Sequence, residues 1–178
     1  MKTLFILLIA SLFVFSACKK STAPLIDISW GEASHGLQIA LSPNTLNLCE
    51  GQAGEIQLAV QNVTSDSLSL ELYATLNLYD SAAVLRYVSY FDISAKDLES
   101  LYASSHSHFT SVFKMAANEQ KRYRINITRL GWVTPADSRP PYATFYDLVA
   151  KNRYTLTCEL WLTAGRTVRS NYTICRIN

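Results

Sequence analysis

The chain has 178 residues, 49% hydrophobic and 17% charged, with a formal net charge of +2. That length fits one domain, and the composition excludes both a disordered polyelectrolyte and a multi-span membrane protein. Residues 1–17 hold Lys2 and no acid, so the remainder sets 15 basic residues against 14 acidic ones. A balance so near neutrality offers no electrostatic footprint for nucleic acid, and no nucleic-acid partner is expected.

Met1-Lys2-Thr3 is a short basic start, and Leu4 to Phe15 is an apolar run of twelve residues broken only by Ser11. The run has the length of a signal-peptide core and is too short for a membrane span of ~20 residues. Ser16 and Ala17 follow, then Cys18, then Lys19-Lys20-Ser21-Thr22. These residues resemble a bacterial lipoprotein signal, with Phe15 where that signal usually has Leu. The resemblance implies a signal peptide over residues 1–17, cleaved before Cys18. It also implies acyl chains, palmitate among them, on Cys18. The implied partner is the membrane, through a lipid anchor. Lys19, in place of an acid, implies sorting to the outer membrane of the cell envelope. Two or more acyl chains hold a folded domain stably at a bilayer, at ~0.8 kcal/mol per buried methylene. Residues 18–36 are read as the lipidated cysteine and a tether, small and polar, with Pro24, Gly31 and Gly36. Leu25, Ile26, Ile28 and Trp30 are able to dock its second half onto the domain that follows.

From residue 37 to 178 the dominant period is two. Ile56, Leu58 and Val60 alternate with Gln57, Ala59 and Gln61; Leu68 to Leu78 alternate with Ser69 to Tyr79. Tyr123, Ile125 and Ile127 alternate with Arg122, Arg124 and Asn126, and Tyr154 to Leu162 alternate with Thr155 to Trp161. Each pattern predicts a strand with one buried face. Turn chemistry separates the strands at 50–54, 62–66, 116–119 and 164–165. Several antiparallel strands joined this way predict an all-β sandwich or barrel. Val84 to Phe91 is apolar on both faces and predicts a strand covered on both sides. Two short helices interrupt the rhythm. One starts at Ser94, with Asp97 completing a capping box and Leu98, Leu101 and Tyr102 on one face. The other spans Thr144 to Lys151, with Asn152 as a left-handed stop. Residues 81–118 are read as an elaboration within one domain.

The turn Gly51-Gln52-Ala53-Gly54-Glu55 leads into Ile56-Gln57-Leu58-Ala59-Val60-Gln61-Asn62. Leu148-Val149-Ala150-Lys151-Asn152-Arg153-Tyr154-Thr155-Leu156 stands near the end, and Ser170-Asn171 enters the last strand. This order resembles the immunoglobulin-like sandwich modules of bacterial envelope lipoproteins. It is also similar in rhythm to the immunoglobulin-like intracellular proteinase-inhibitor domain of bacilli, which usually has Gly at the position of Asn152. The resemblance implies an Ig-like antiparallel β-sandwich over 37–178, with the two short helices in an insert and a late connection. It implies a binding or assembly module, or a proteinase inhibitor.

An exported chain can form disulfides. Cys158 shares the face of Leu156 and Leu160, whereas Cys49 and Cys175 fall off the core parity of their strands. In Ig-like sandwiches the second half of the first strand pairs with the last strand. A Cys49–Cys175 bond is therefore one expectation, Cys158–Cys175 is the next, and three reduced thiols are the other. No Cys-x-x-Cys occurs. His106 and His108 share a parity, yet a pair on a polar loop is more often merely solvated, so neither a metal nor another cofactor is expected.

No nucleophile elbow, phosphate loop, zinc-protease helix or EF-hand loop occurs, and the aspartates sit where turns and caps use them. No catalytic residue is expected, and the chain is read as no enzyme. Asn62, Asn126 and Asn171 each head an Asn-x-Thr triplet, read as chance matches in Thr-rich strands. Tyr73 and Tyr79 oppose the leucines of their strand in parity, and Trp161 opposes Leu160 and Leu162. On neighbouring strands these three would form an aromatic face suited to a protein or glycan ligand. The alternative is that residues 84–115 fold over that face and bury it.

Overall fold

The computed structural model describes residues 28–93, 111–136 and 143–178. The strands are β1 (Leu37–Ser42), β2 (Thr45–Leu48), β3 (Glu55–Asn62), β4 (Leu68–Tyr79) and β5 (Leu85–Phe91). They continue with β6 (Ser111–Met115), β7 (Gln120–Asn126), β8 (Arg153–Leu162) and β9 (Arg166–Ile177). A single turn of helix, α1 (Phe145–Leu148), and two 3-10 turns at Ile127–Arg129 and Thr163–Gly165 complete the described elements. The fold is all-β.

One sheet has the order β1-β3-β7 and is antiparallel. The other runs β2-β9-β8-β4-β5, with β6 on the first half of the β4 edge that β5 takes farther on. All its pairings are antiparallel except β2, which runs parallel to β9. The chain changes sheets between its first two strands. Pro43 and Asn44 make the crossover here, between β1 in one sheet and β2 in the other.

The period-two patterns fill the space between the sheets. Leu37, Ile39, Leu41, Ile56, Leu58 and Val60 from the smaller sheet meet Leu72, Leu76, Leu78, Leu156, Cys158 and Leu160 from the larger in one buried cluster. Leu70 is only partly buried, because it stands toward the β4 end that pairs with β6. Trp132 and Phe145 close one end of the core, edge to face at 5.6 Å, with the indole N–H donating to Ile127 O at 2.9 Å. Gly31 touches the β9 backbone so closely that a Cβ would stand 2.3 Å from Arg169 O. Its N–H donates to Ile39 O, so the tether's last residues are docked rather than free.

Amide side chains stitch the turns. Asn62 donates to Asp66 O and Ala116 O, at 2.7 and 2.8 Å, and accepts from the Thr64 N–H and hydroxyl. Asn126 accepts from the N–H and hydroxyl of Thr128. Asn171 accepts from Leu41 N–H and donates to Leu41 O, tying β9 to β1 across the layers. The three Asn-x-Thr triplets are thus structural joints, where an amide side chain satisfies backbone groups that a turn or sheet change leaves open.

Two expectations change. The helix expected over Thr144–Lys151 is only Phe145–Leu148, and it ends on Val149 in extended conformation rather than on a left-handed Asn152. β-branched Val149 favours that geometry, and Asn152 instead caps the start of β8, accepting from Arg153 N–H. The capping box at Ser94 and the pair His106 and His108 lie outside the described residues, as do Cys18 and the signal.

Candidate functional site

The outer face of the larger sheet brings aromatic and charged side chains together. Register places Tyr73 directly opposite Trp161, Thr75 opposite Glu159, Asn77 opposite Thr157 and Tyr79 opposite Thr155. Tyr90 of β5 faces Thr75 from the other side, and Arg169 of β9 faces Glu159. Tyr73, Tyr79 and Trp161 therefore share one face, but not one cluster. Tyr73 and Trp161 stack with ring centroids 5.9 Å apart and planes 1° from parallel. Tyr79 lies six residues along β4, roughly 20 Å away at the strand rise.

The aromatic pair is held in place. The Trp161 indole N–H donates to the Thr75 hydroxyl at 3.2 Å, which fixes the ring. Burial, then the neighbouring Tyr90 and Glu159, push the Tyr73 hydroxyl above its ordinary range. Behind the pair lies a polar row that the sequence reading missed: Thr75, Asn77, Thr157 and Glu159 are all buried although they point away from the core. Glu159 is held by Arg169, with Nη2 at 2.5 Å and Nε at 2.7 Å from one carboxylate oxygen. Parity alone could have flagged these residues, since each shares the parity of Tyr73 or Trp161. What it could not supply was the ion pair, because β9 changes parity along its length.

That change corrects the cysteine expectation. The β8–β9 register shifts by one residue between Thr157 and Glu159. Before the shift Val168 and Ser170 point inward; after it Thr173, Cys175 and Ile177 do. Cys175 is therefore a core residue, a free and fully buried thiol pushed up to about 12 by burial. The Cys49–Cys175 bond is not formed. Cys175 pairs with Leu46 and Ile177 with Leu48, so Cys49 stands three residues beyond the level of Cys175. At the strand rise that is ~10 Å, beyond the ~7 Å a disulfide spans. Cys158–Cys175 is not formed either: Cys175 lies opposite Tyr154, four residues from Cys158, and both thiols are free.

Residues 94–110, the middle of the stretch expected to cover the aromatic face, lie outside the described residues. The described parts of residues 84–115, β5 and β6, lie in the plane of the sheet on the β4 edge and not across its face. Among the described residues no group of three or more His, Cys, Asp or Glu side chains could hold a metal ion, and no helix is long and apolar enough to cross a membrane.

No family model and no curated protein matches the chain. Among solved structures it is similar to the Pseudomonas fluorescens alkylpurine DNA glycosylase AlkC, bound to DNA containing an abasic site analog. That likeness has 12% identity and a TM-score of 0.40, over 81% of this chain and 31% of the other. It is also similar to Spo0M, a sporulation control protein from Bacillus subtilis, at 12% identity and a TM-score of 0.34, over 80% of this chain and 48% of the other. The chain thus spans about a third and about half of these two proteins. Because the first is an enzyme bound to DNA, the two exclusions drawn from composition and motifs, no enzyme and no nucleic-acid partner, are withdrawn. Likenesses this distant assign neither an activity nor a ligand to this chain.

Proposed function

We propose that the protein is a lipid-anchored module of the bacterial cell envelope that presents the outer face of its larger sheet to a binding or assembly partner. The anchor rests on the apolar run Leu4 to Phe15 followed by Ser16-Ala17-Cys18. The binding face rests on one observation above the others: the Tyr73–Trp161 pair is preset on rigid strands, stacked and hydrogen-bonded, outside the core. Tyr and Trp anchors of this kind dominate protein interfaces, because they offer large contact area at little loss of rotamer freedom. The stack favours a protein surface over a flat glycan, since each ring already turns one face to the other and leaves less open for a sugar.

Cys18→Ser is expected to abolish detergent-phase partitioning and the mass added to the first mature peptide. A Tyr73→Ala/Trp161→Ala double variant is expected to keep its anchor and lose a partner captured from native envelopes by the wild type. Unchanged partitioning and peptide mass in Cys18→Ser defeat the anchor. An unchanged capture profile in the double variant defeats the binding face, and retention on a glycan array by the wild type alone makes the ligand a sugar.

A further inference from the structure

The opposite end of the same face carries a second feature. Tyr79 ends β4, Arg153 begins β8, and β9 lies alongside; together they enclose an open depression of about 640 Å³. That volume is within the range of small-molecule sites. Its lining includes Tyr79, Asp80, Arg153, Thr157 and Arg169.

Charge is arranged unusually here. Arg153 and Arg176 are direct cross-strand partners on β8 and β9. Like charges in that relation repel and destabilise the sheet. Among the described residues neither guanidinium has a hydrogen bond or an ion pair. The carboxylates that could neutralise them are already engaged. Asp80 accepts from Arg86 at 2.7 Å and from the N–H groups of Ala82 and Val84. Those bonds, the one from Val84 foremost, hold its carboxyl below the usual carboxylate range, so it stays charged and committed. Glu159 is taken by Arg169. Four guanidiniums thus stand against two occupied carboxylates.

The polar lining is incomplete in a matching way. Thr157 is more than nine-tenths buried, and its hydroxyl oxygen has no hydrogen-bond partner. The Tyr79 hydroxyl stands beside it, and burial above all raises that phenol, so it stays protonated and able to donate. A buried hydroxyl left without a partner is unfavourable unless something else fills the place. Guanidinium forks and neutral hydroxyls converging on one depression match an acceptor that carries negative charge on two or more oxygens.

We propose that this depression binds the oxyanion of a small acidic ligand, a carboxylate or a phosphate, on Arg153, whose cross-strand partner is Arg176, with the hydroxyls of Tyr79 and Thr157 beside it. The site is separate from the Tyr73–Trp161 end and does not depend on what that end binds or on the lipid anchor.

The test uses the full chain in detergent, titrated calorimetrically at low ionic strength with inorganic phosphate, D-glucuronate and, as a neutral control, glucose. One or both anions are expected to bind, more weakly as salt rises, and to raise the thermal midpoint; glucose is expected to do neither. The phosphate and glucuronate arms tell which oxyanion the site prefers. Arg153→Gln is expected to weaken anion binding by about tenfold or more, the order for a lost charge-assisted pair. Its own thermal midpoint should be equal to or above that of the wild type, because cross-strand repulsion is relieved. Trp161→Ala is expected to bind the anion unchanged. The proposal is overturned if neither anion binds the wild type, if glucose binds as well as they do, or if Arg153→Gln loses less than tenfold.

Discussion

The two faces of the larger sheet occupy the same strands in alternate residues, yet they are built on different physics. On the inner face Leu72, Leu76, Leu78, Leu156 and Leu160 are wholly buried. Their contribution is area removed from water, which is additive and indifferent to direction. On the outer face Thr75, Asn77, Thr157 and Glu159 are nearly as buried, but each carries polar atoms that must find partners. There direction decides: Glu159 has Arg169, Thr75 has Trp161, and the Thr157 hydroxyl has nothing. Burial of side chains that do not point at the core marks where a strand is shaped by something besides stability.

The largest expected effect lies on the inner face. Leu156→Ala is expected to lower the unfolding free energy by ~2–5 kcal/mol in urea, because methylenes are lost from a close-packed core. Its outer neighbour Thr155→Ala is expected to change it by no more than about 1 kcal/mol. Similar losses for the two variants would mean that the faces are not distinct.

Much of that inner face was legible in the sequence. Period two in Leu68 to Leu78 and Tyr154 to Leu162 identifies both strands and the side that packs, because hydrophobic alternation is imposed by the pleat itself. The outer face was legible only as far as Tyr73, Tyr79 and Trp161, which stand out by type. Arg153, Arg169 and Arg176 did not, since an isolated arginine in a strand reads as a solvated residue. The parity of β9 failed for a definite reason: an extra residue within Val168 to Thr173 turns the rest of the strand over, and nothing in Ser170-Asn171-Tyr172 announces it. With the strand turned over, Cys175 moved into the core and Tyr172 out, to 62% exposure. The joints at Asn62, Asn126 and Asn171 were likewise visible as residues but not as joints. Their partners lie across turns or on another sheet.

The next effect tests direction on the outer face. Arg169→Met keeps an aliphatic stem and removes the charge facing Glu159, whose side chain is 6% exposed. A buried carboxylate left unpaired is expected to lower stability by about 1–3 kcal/mol. The lower half of that range is favoured because the Arg169 side chain is 65% exposed and water screens the pair. Adding Glu159→Gln should return part of the loss. A double variant less stable than Arg169→Met would show that the carboxylate has some other use for its charge.

Alkaline pH separates the regions differently. Burial, and then Glu119, push Tyr123 up to about 12. Burial, and then the neighbouring Tyr87, do the same for Tyr154. Both phenols keep their protons in the folded protein above pH 10, the ordinary value at which the unfolded chain releases them. Their contribution is therefore complete below about pH 10 and is lost progressively as pH rises to about 12. The thermal midpoint should fall across that window, and Tyr123→Phe should flatten the fall. A midpoint that is level from pH 10 to 12 would contradict the protected phenols.

The smallest expected effect is also the one that asks most about function. Tyr73 and Trp161 face each other across β4 and β8, and stacked aromatic pairs contribute ~0.5–1.5 kcal/mol beyond their buried area. A double-mutant cycle with Tyr73→Ala and Trp161→Ala should return a coupling in that range, measured by urea unfolding. Trp161→Phe keeps a ring on Tyr73 but gives up the indole N–H that holds Thr75, so it should retain most of the ring coupling while losing the bond. Comparison with partner capture then divides the roles. If Trp161→Phe is almost as stable as the wild type and still loses the partner, then the indole is placed for the ligand and its bond to Thr75 serves to aim it. If stability and capture fall together through the series, the pair is a staple of the outer face and its exposure is incidental. A coupling near zero would leave the stack without an energetic role in the fold, and its parallel rings would then have to be explained by what binds them.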